Sequence, residues 1–130
     1  MAGIYKAYGI RGIYPEEVNT EIVRKVGQTC HILFNPGKVI VAHDGRHGSV
    51  ELAEAAKEGI QNGKKKFEIL FVGLATTPMF YFLVNHFKAS GGLMITASHN
   101  PKNDNGVKVV KEEAVMIQGF EIEKAVAELN

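Results

Sequence analysis

The chain has 130 residues, the usual size of one globular domain, and a chain of this length buries roughly two thirds of its unfolded surface. Its 15 basic and 14 acidic residues nearly balance, so no global field favours nucleic acid or an anionic membrane as a partner. The single cysteine, Cys30, excludes an internal disulfide and suits a reducing compartment. No apolar run reaches the roughly 20 residues of a membrane span and no signal peptide is recognisable, so we expect a cytoplasmic protein.

The first half of the chain alternates between strand and helix patterns. Residues 4–11 alternate imperfectly between apolar and polar side chains, which predicts a first strand. Thr20 is a candidate helix N-cap, and the helix that follows it is predicted to stop at the Asn-Pro-Gly sequence of residues 35–37. Residues 38–42 form a short apolar strand, and Ser49 is a candidate N-cap for a second helix.

The second half continues the alternation. Residues 67–72 predict a third strand, and Thr77, which precedes a proline, is a candidate N-cap for a third helix. Two further strands are predicted at residues 93–96 and 107–111, with a polar turn between them, and a last helix at residues 119–129.

This order of elements predicts an α/β fold. Strands that alternate with helices favour three α/β/α layers around a mixed, mostly parallel sheet of about four main strands, one of them antiparallel. No internal repeat, linker or low-complexity segment interrupts the sequence. We therefore predict a single domain over residues 1–130.

The densest group of reactive side chains follows the strand in residues 91–101, where a hydroxyl, an imidazole and a carboxamide stand in sequence at Ser98, His99 and Asn100. A buried strand that ends in a short polar loop is how α/β proteins present such groups. If the next strand returns as a hairpin, Lys108 lies beside the mouth of this loop. Cationic groups and the backbone N–H groups of a tight turn favour a phosphorylated serine at that place.

Each of these residues also has a purely structural interpretation. A turn serine often hydrogen-bonds its own backbone, and short motifs match by chance, so a bare Ser-His-Asn-Pro sequence favours a structural Ser98. Considered without the surrounding motifs, Lys108 is typical of a solvated strand lysine and His99 of a hydrogen-bonded loop histidine. Arg11 is then typical of an arginine packed against a helix.

Several motifs in order resemble one family. The sequence TASHNP at residues 96–101, preceded by GGLMI and followed by NGVK, resembles the phosphoserine loop of the α-D-phosphohexomutases, the phosphoglucomutase/phosphomannomutase family. AYGIRG at residues 7–12 resembles the family's opening AYDIRG, and VAHDGR at residues 41–46 resembles its V-G-x-D-x-R. Residues 73–78 match its G-x-x-x-T-P, and the resemblance covers about residues 4–111.

The resemblance implies intramolecular phosphoryl transfer between C1 and C6 of a hexose phosphate. Ser98 would carry the phosphoryl group, with a hexose 1,6-bisphosphate as intermediate and activator, and Lys108 would act as general acid and base. Arg11, His99 and Asn100, together with Lys108, would bind the phosphohexose or its phosphate. Mg²⁺ would be bound on this chain only through the phosphate of Ser98.

The family's other motifs are missing from the sequence. The D-G-D-x-D-R magnesium loop, the sugar-selecting loop and the distal phosphate loop belong to domains II–IV, and none occurs here. We therefore expect the phosphoserine-bearing domain I alone, inactive by itself. Its partners would be the remaining mutase domains or a second copy, bound at an exposed apolar face near the last helix or the strand ends around Ser98. The alternative is a non-catalytic phosphate-binding, phosphosugar-binding or assembly domain.

Two residues depart from the family pattern. Gly9 stands where the family usually has aspartate, which is expected to loosen the setting of Arg11, and His43 stands near a usual arginine. Asp44 and Arg46 are predicted to hold the architecture together through an ion pair within their loop rather than to contact substrate.

Overall fold

A computed structural model describes residues 3–129 of the chain. The strands are β1 Tyr5–Lys6, β2 Gly9–Ile13, β3 Gly37–His43, β4 Phe67–Leu74, β5 Gly91–Ile95, β6 Asp104–Lys111 and β7 Val115–Ile117. The helices are α1 Thr20–Gln28, α2 Cys30–Leu33, α3 Ser49–Gln61, α4 Thr77–His86 and α5 Gly119–Ala127, and a short 3-10 turn spans Glu112–Ala114. In this part of the chain no helix combines the length and apolarity that a bilayer crossing requires.

The strands form one mixed sheet of seven strands in the order β1-β2-β6-β5-β3-β4, with β7 paired to β6. Among the four main strands β4, β3 and β5 run parallel and β6 runs antiparallel, as predicted. The short strands β1, β2 and β7 add three further antiparallel pairings, so the whole sheet is less parallel than predicted. The α/β fold class with a mixed sheet is confirmed.

Helices cover both faces of the sheet. α1, α3 and α5 pack on one face around a large apolar core that includes Val41, Leu93 and Ile95 of the central strands. α4 packs on the other face, where Phe80 and Val84 meet a smaller cluster of apolar strand residues. The three α/β/α layers therefore form because the central strands are apolar on both faces.

Three local features differ from the sequence prediction. The predicted first strand is a hairpin of β1 and β2, because Gly9 has a φ of +123° that breaks the extended run. The predicted first helix is divided between α1 and α2 at the buried Thr29, whose hydroxyl donates to the carbonyl oxygen of Val26. The N-caps lie one residue earlier than predicted, at Asn19, Gly48 and Thr76.

α1 and α3 approach each other closely through glycines. A β-carbon at Gly59 would overlap the carbonyl oxygen of Arg24, and one at Gly27 would overlap that of Ala56. Backbone atoms cannot retreat as a flexible side chain does, so both positions require glycine for this helix packing.

Gly59→Ala is expected to lower the free energy of unfolding by about 1–3 kcal/mol, because overlap between helices outweighs the gain in helix propensity. Urea denaturation followed by circular dichroism measures the change. Gly45→Ala is the control, since a β-carbon there first meets Leu74 at 4.0 Å, an ordinary contact. Equal stability of the two variants would contradict the close packing of α1 and α3.

Candidate functional site

The candidate site lies where β5 ends. β3 and β5 are parallel neighbours, so His43 and Ile95 end their strands at the same edge of the sheet. Thr96 and Ala97 are still buried, whereas Ser98 and the residue after it are exposed. The apolar strand therefore delivers a polar loop to solvent at the carboxyl ends of the parallel strands, a usual place for a ligand site in α/β proteins.

Short-range hydrogen bonds shape the Ser98 loop. The backbone N–H of Ser98 donates to the hydroxyl of Thr96 at 3.0 Å, and that of Asn100 donates to the carbonyl oxygen of Ala97 at 3.0 Å. The Asn100 side chain donates to the carboxylate of Asp104 at 3.0 Å. Ser98 itself has a φ of +53°, in the left-handed region that non-glycine residues seldom adopt.

The guanidinium of Arg46 holds the whole loop from outside. Its two terminal nitrogens donate to four backbone carbonyl oxygens, those of Ser98 at 2.6 Å, Pro101 at 2.7 Å, Asn100 at 2.8 Å and Asp104 at 3.1 Å. A planar fork of donors suits this task, and the point charge of a lysine does not. Arg46 therefore fixes the loop through its backbone and leaves the Ser98 hydroxyl unused.

A partly buried polar network fixes Arg46 in turn. Asp44 accepts from the Arg46 backbone N–H at 3.0 Å and lies 3.4 Å from its Nε, so the predicted ion pair is present. Asp44 also accepts from the Ser49 hydroxyl at 2.6 Å, and Ser49 accepts from the buried side chain of Asn105 at 3.0 Å. The roles of Ser49 and Asn105 were missed, because one was interpreted as a helix cap and the other as part of a turn.

Arg11 is the second arginine of the site and is 2% exposed. Its Nη1 donates to the carbonyl oxygen of Ile10 at 2.7 Å, its Nη2 makes a long contact of 3.4 Å with the hydroxyl of Ser98, and its guanidinium lies 5.2 Å from the ring centroid of Tyr8. Its Nε is buried without a hydrogen-bond partner. Burial lowers the pKa of this guanidinium, and among residues 3–129 no carboxylate forms an ion pair with it.

The register of the sheet places Lys108 on the same face as Arg11. Lys108 of β6 lies opposite Met94 of β5. Arg11 of β2 lies opposite Gly106, which precedes Lys108 by two residues in β6. Residues in this diagonal relation lie within reach of long side chains. Lys108 and Asn100 are half-buried and His99 is exposed. The structure brings Arg11 into contact with Ser98 and places Lys108 on the face of the sheet that carries Arg11.

The two departures from the family pattern have local explanations. A β-carbon at Gly9 would overlap the carbonyl oxygen of Val107, so this hairpin excludes an aspartate there without a change of backbone. Arg11 is nevertheless held, by Ile10 and by the Tyr8 ring. The His43 ring is buried and its Nδ1 shares a hydrogen bond of 2.8 Å with the carbonyl oxygen of Asp44.

The described residues do not form a Mg²⁺ site. Between residues 3 and 129 no group of three or more histidine, cysteine, aspartate and glutamate side chains lies close enough to hold a metal. The carboxylates nearest the loop, Asp44 and Asp104, are engaged by Arg46 and Asn100. A hard cation needs several oxygen ligands, and here arginines occupy the surroundings of the loop.

Comparison with known proteins identifies the family. The family model of phosphoglucomutase/phosphomannomutase, alpha/beta/alpha domain I, matches residues 3–130. The chain belongs to this family. The solved structure of a phosphoglucomutase/phosphomannomutase family protein from Burkholderia thailandensis superposes with a TM-score of 0.83 at 26% identity, over 99% of this chain and 31% of that one.

Sequence relatives agree with this assignment. Phosphohexose mutases of Xanthomonas campestris pv. campestris are 41% identical over 110 residues, which are 85% of this chain and 24% of the relative. A phosphomannomutase of Klebsiella pneumoniae is 39% identical over 115 residues, which are 88% of this chain and 72% of the relative. The chain thus spans about a quarter of the Xanthomonas protein.

Arg46→Lys is expected to lower the free energy of unfolding by about 1–2 kcal/mol, because an ammonium cannot reach four carbonyl oxygens and the part-buried ones lose their donor. Hydrogen exchange should also become faster at the backbone N–H groups of residues 98–104. Urea denaturation and exchange followed by mass spectrometry measure the two effects.

Arg24→Lys is the matched control. The ion pair of Arg24 with Glu58, 3.0 Å long, is exposed, so its alteration should cost less than about 1 kcal/mol and leave the exchange of residues 98–104 unchanged. A similar loss in both variants would show that Arg46 does not organise the loop.

Proposed function

We propose that Ser98 carries a phosphoryl group and exchanges it with a hexose phosphate, so that this chain is the phosphoserine domain of a phosphohexomutase. The observation that carries the proposal is the geometry of Arg11. This cation is buried, has no carboxylate partner among residues 3–129, and points Nη2 at the Ser98 hydroxyl.

A phosphoryl group on Ser98 would complete this arrangement. A buried cation without a counter-ion is costly, and a phosphoserine brings nearly two negative charges and three acceptor oxygens. Arginine and phosphate form strong, charge-assisted hydrogen bonds, and both Nε and Nη2 of Arg11 still have capacity for one. His99 and the half-buried Lys108 would be further contacts of the same group.

The proposed transfer is an exchange of one phosphoryl group between Ser98 and the sugar. A hydroxyl oxygen of the hexose phosphate forms a bond to the phosphorus as the bond from phosphorus to Oγ of Ser98 breaks. The hydroxyl proton passes to Lys108, the proposed general base, and the Ser98 oxygen takes up a proton from solvent. The product is a hexose 1,6-bisphosphate. The reverse step, on the other phosphate, returns a phosphoryl group to Ser98. Arg11, His99 and Asn100 hold the phosphoryl group in place.

The remaining parts of a mutase belong to the same proposal. We propose that residues 1–130 form one domain, that it is inactive alone, and that a phosphohexose is the substrate class. Mg²⁺ would bind the Ser98 phosphate and neutralise charge, with its other ligands supplied from outside residues 3–129, where no carboxylate cluster is found. The relatives' names, phosphohexose mutases and phosphomannomutase, support this class of substrate.

Incubation of the chain with glucose 1,6-bisphosphate, Mg²⁺ and domains II–IV of a family mutase is expected to add one phosphoryl group at Ser98, read by intact mass and peptide mapping. Ser98→Ala should stay unmodified, and Ser90→Ala, which alters a buried serine bonded to Pro36, should be modified like the parent chain. The same mixture should turn over hexose 1-phosphate, whereas the chain alone should not. Phosphorylation without restored turnover would favour the alternative, a phosphosugar-binding domain.

Inorganic phosphate is expected to raise the melting temperature of the chain, since an anion that binds only the folded state stabilises it by mass action. Arg11→Met should abolish this shift and leave the melting temperature without phosphate unchanged or higher, because an apolar side chain often replaces a buried ion at no cost. Thermal unfolding in matched phosphate and chloride buffers measures both. If phosphate still raises the melting temperature of Arg11→Met, Arg11 does not bind the phosphate and the argument based on Arg11 fails.

A further inference from the structure

The outer edge of β4 is open. The strand order puts β4 at the end of the sheet, and among residues 3–129 only β3 pairs with it. Its eight residues, FEILFVGL, contain one charged side chain, and Leu74 is 71% exposed. Long apolar edge strands are templates for pairing with another chain, and monomeric proteins usually protect them with charges, proline or bulges.

The usual protection covers only the end of this strand. The register of β3 and β4 shifts between Val41 and Ala42, so the bulge lies beyond Phe71 and residues 67–71 stay regular. No proline occurs in β4. A regular, apolar stretch of strand therefore presents its backbone donors and acceptors to solvent.

One side of α3 extends the same surface. Lys57 Nζ lies 5.5 Å from the ring centroid of Phe71, so this side of the helix overhangs β4. Spacings of three and seven residues place Glu54 and Val50 on the side that Lys57 occupies, and Val50 is exposed. The other side of α3 faces α1. We call Val50, Glu54, Lys57, Phe71 and Leu74, together with the open strand, the β4 edge surface.

We propose that the β4 edge surface binds a second copy of this chain, with the two β4 strands paired antiparallel about a twofold axis so that two sheets become one. The backbone groups of the edge gain hydrogen-bond partners, and the exposed apolar side chains Phe71 and Leu74 are removed from water.

Charge complementarity identifies the occupant as a second copy. The proposed twofold axis reverses the direction of α3 and passes midway between positions 54 and 57, so Glu54 would face the partner's Lys57 and Lys57 would face the partner's Glu54. Opposite charges three residues apart on a helix are therefore self-complementary across such an axis. Glu54 has no ion-pair partner among residues 3–129, so this carboxylate is available.

Charge reversal tests the proposal, with sedimentation equilibrium across a concentration series as the measurement. The parent chain should dimerise, and Glu54→Lys or Lys57→Glu alone should raise the dimer dissociation constant by roughly tenfold or more, since like charges then face each other. An equimolar mixture of these two variants should form a heterodimer, because each then supplies the charge that the other lacks. Recovery in the mixture requires that the two positions face each other.

Two controls make the result decisive. The controls are Phe120→Lys, at a 65% exposed position on α5, and Ser98→Ala, and both should leave the dimer unchanged. Leu74→Lys, within the β4 edge surface, should weaken the dimer. A parent chain that stays monomeric at every concentration would overturn the proposal. A dimer that is lost in Phe120→Lys but kept in the charge-reversal variants would overturn it too.

Discussion

The site depends on one guanidinium that binds four carbonyl oxygens. The loop after β5 has no regular secondary structure of its own, and Arg46 supplies the donors that a neighbouring strand would supply elsewhere. Because Asp44 fixes Arg46 and is itself fixed by Ser49, the loop is tied to the amino end of α3. The position of the Ser98 backbone is thus decided by atoms on the far side of the loop.

Two arginines beside the same serine have opposite roles. Arg46 has a carboxylate partner and uses all its terminal nitrogens on backbone oxygens, so it is electrically and geometrically satisfied. Arg11 is more deeply buried, has a Tyr8 ring and a single carbonyl oxygen as neighbours, and keeps one nitrogen without a partner. The first stabilises the loop, and the second is the group whose charge an incoming anion would balance.

The sequence predicted what local patterns determine. The apolar runs of β3, β4 and β5 and the polar loop at Ser98 are visible as composition, and the order of elements led to the α/β fold. The division of the first helix at Thr29, the short strand β7 and the contact between Ser49 and Asn105 were not predictable. The contact between Ser49 and Asn105 joins residues 56 apart in the chain, which a local pattern does not contain. The other two features are local: the helix divides at Thr29 inside an unbroken apolar periodicity, and β7 has three residues, too few for a strand pattern.

The backbone at Ser98 adopts a conformation that serine does not favour. A left-handed φ costs a side chain with a β-carbon about 1 kcal/mol, whereas glycine adopts it without penalty and asparagine with less. A redesign that chose every residue for backbone preference alone would therefore replace Ser98. The protein would gain stability and lose the hydroxyl that Arg11 contacts, so thermostability alone would be a misleading criterion in engineering this loop.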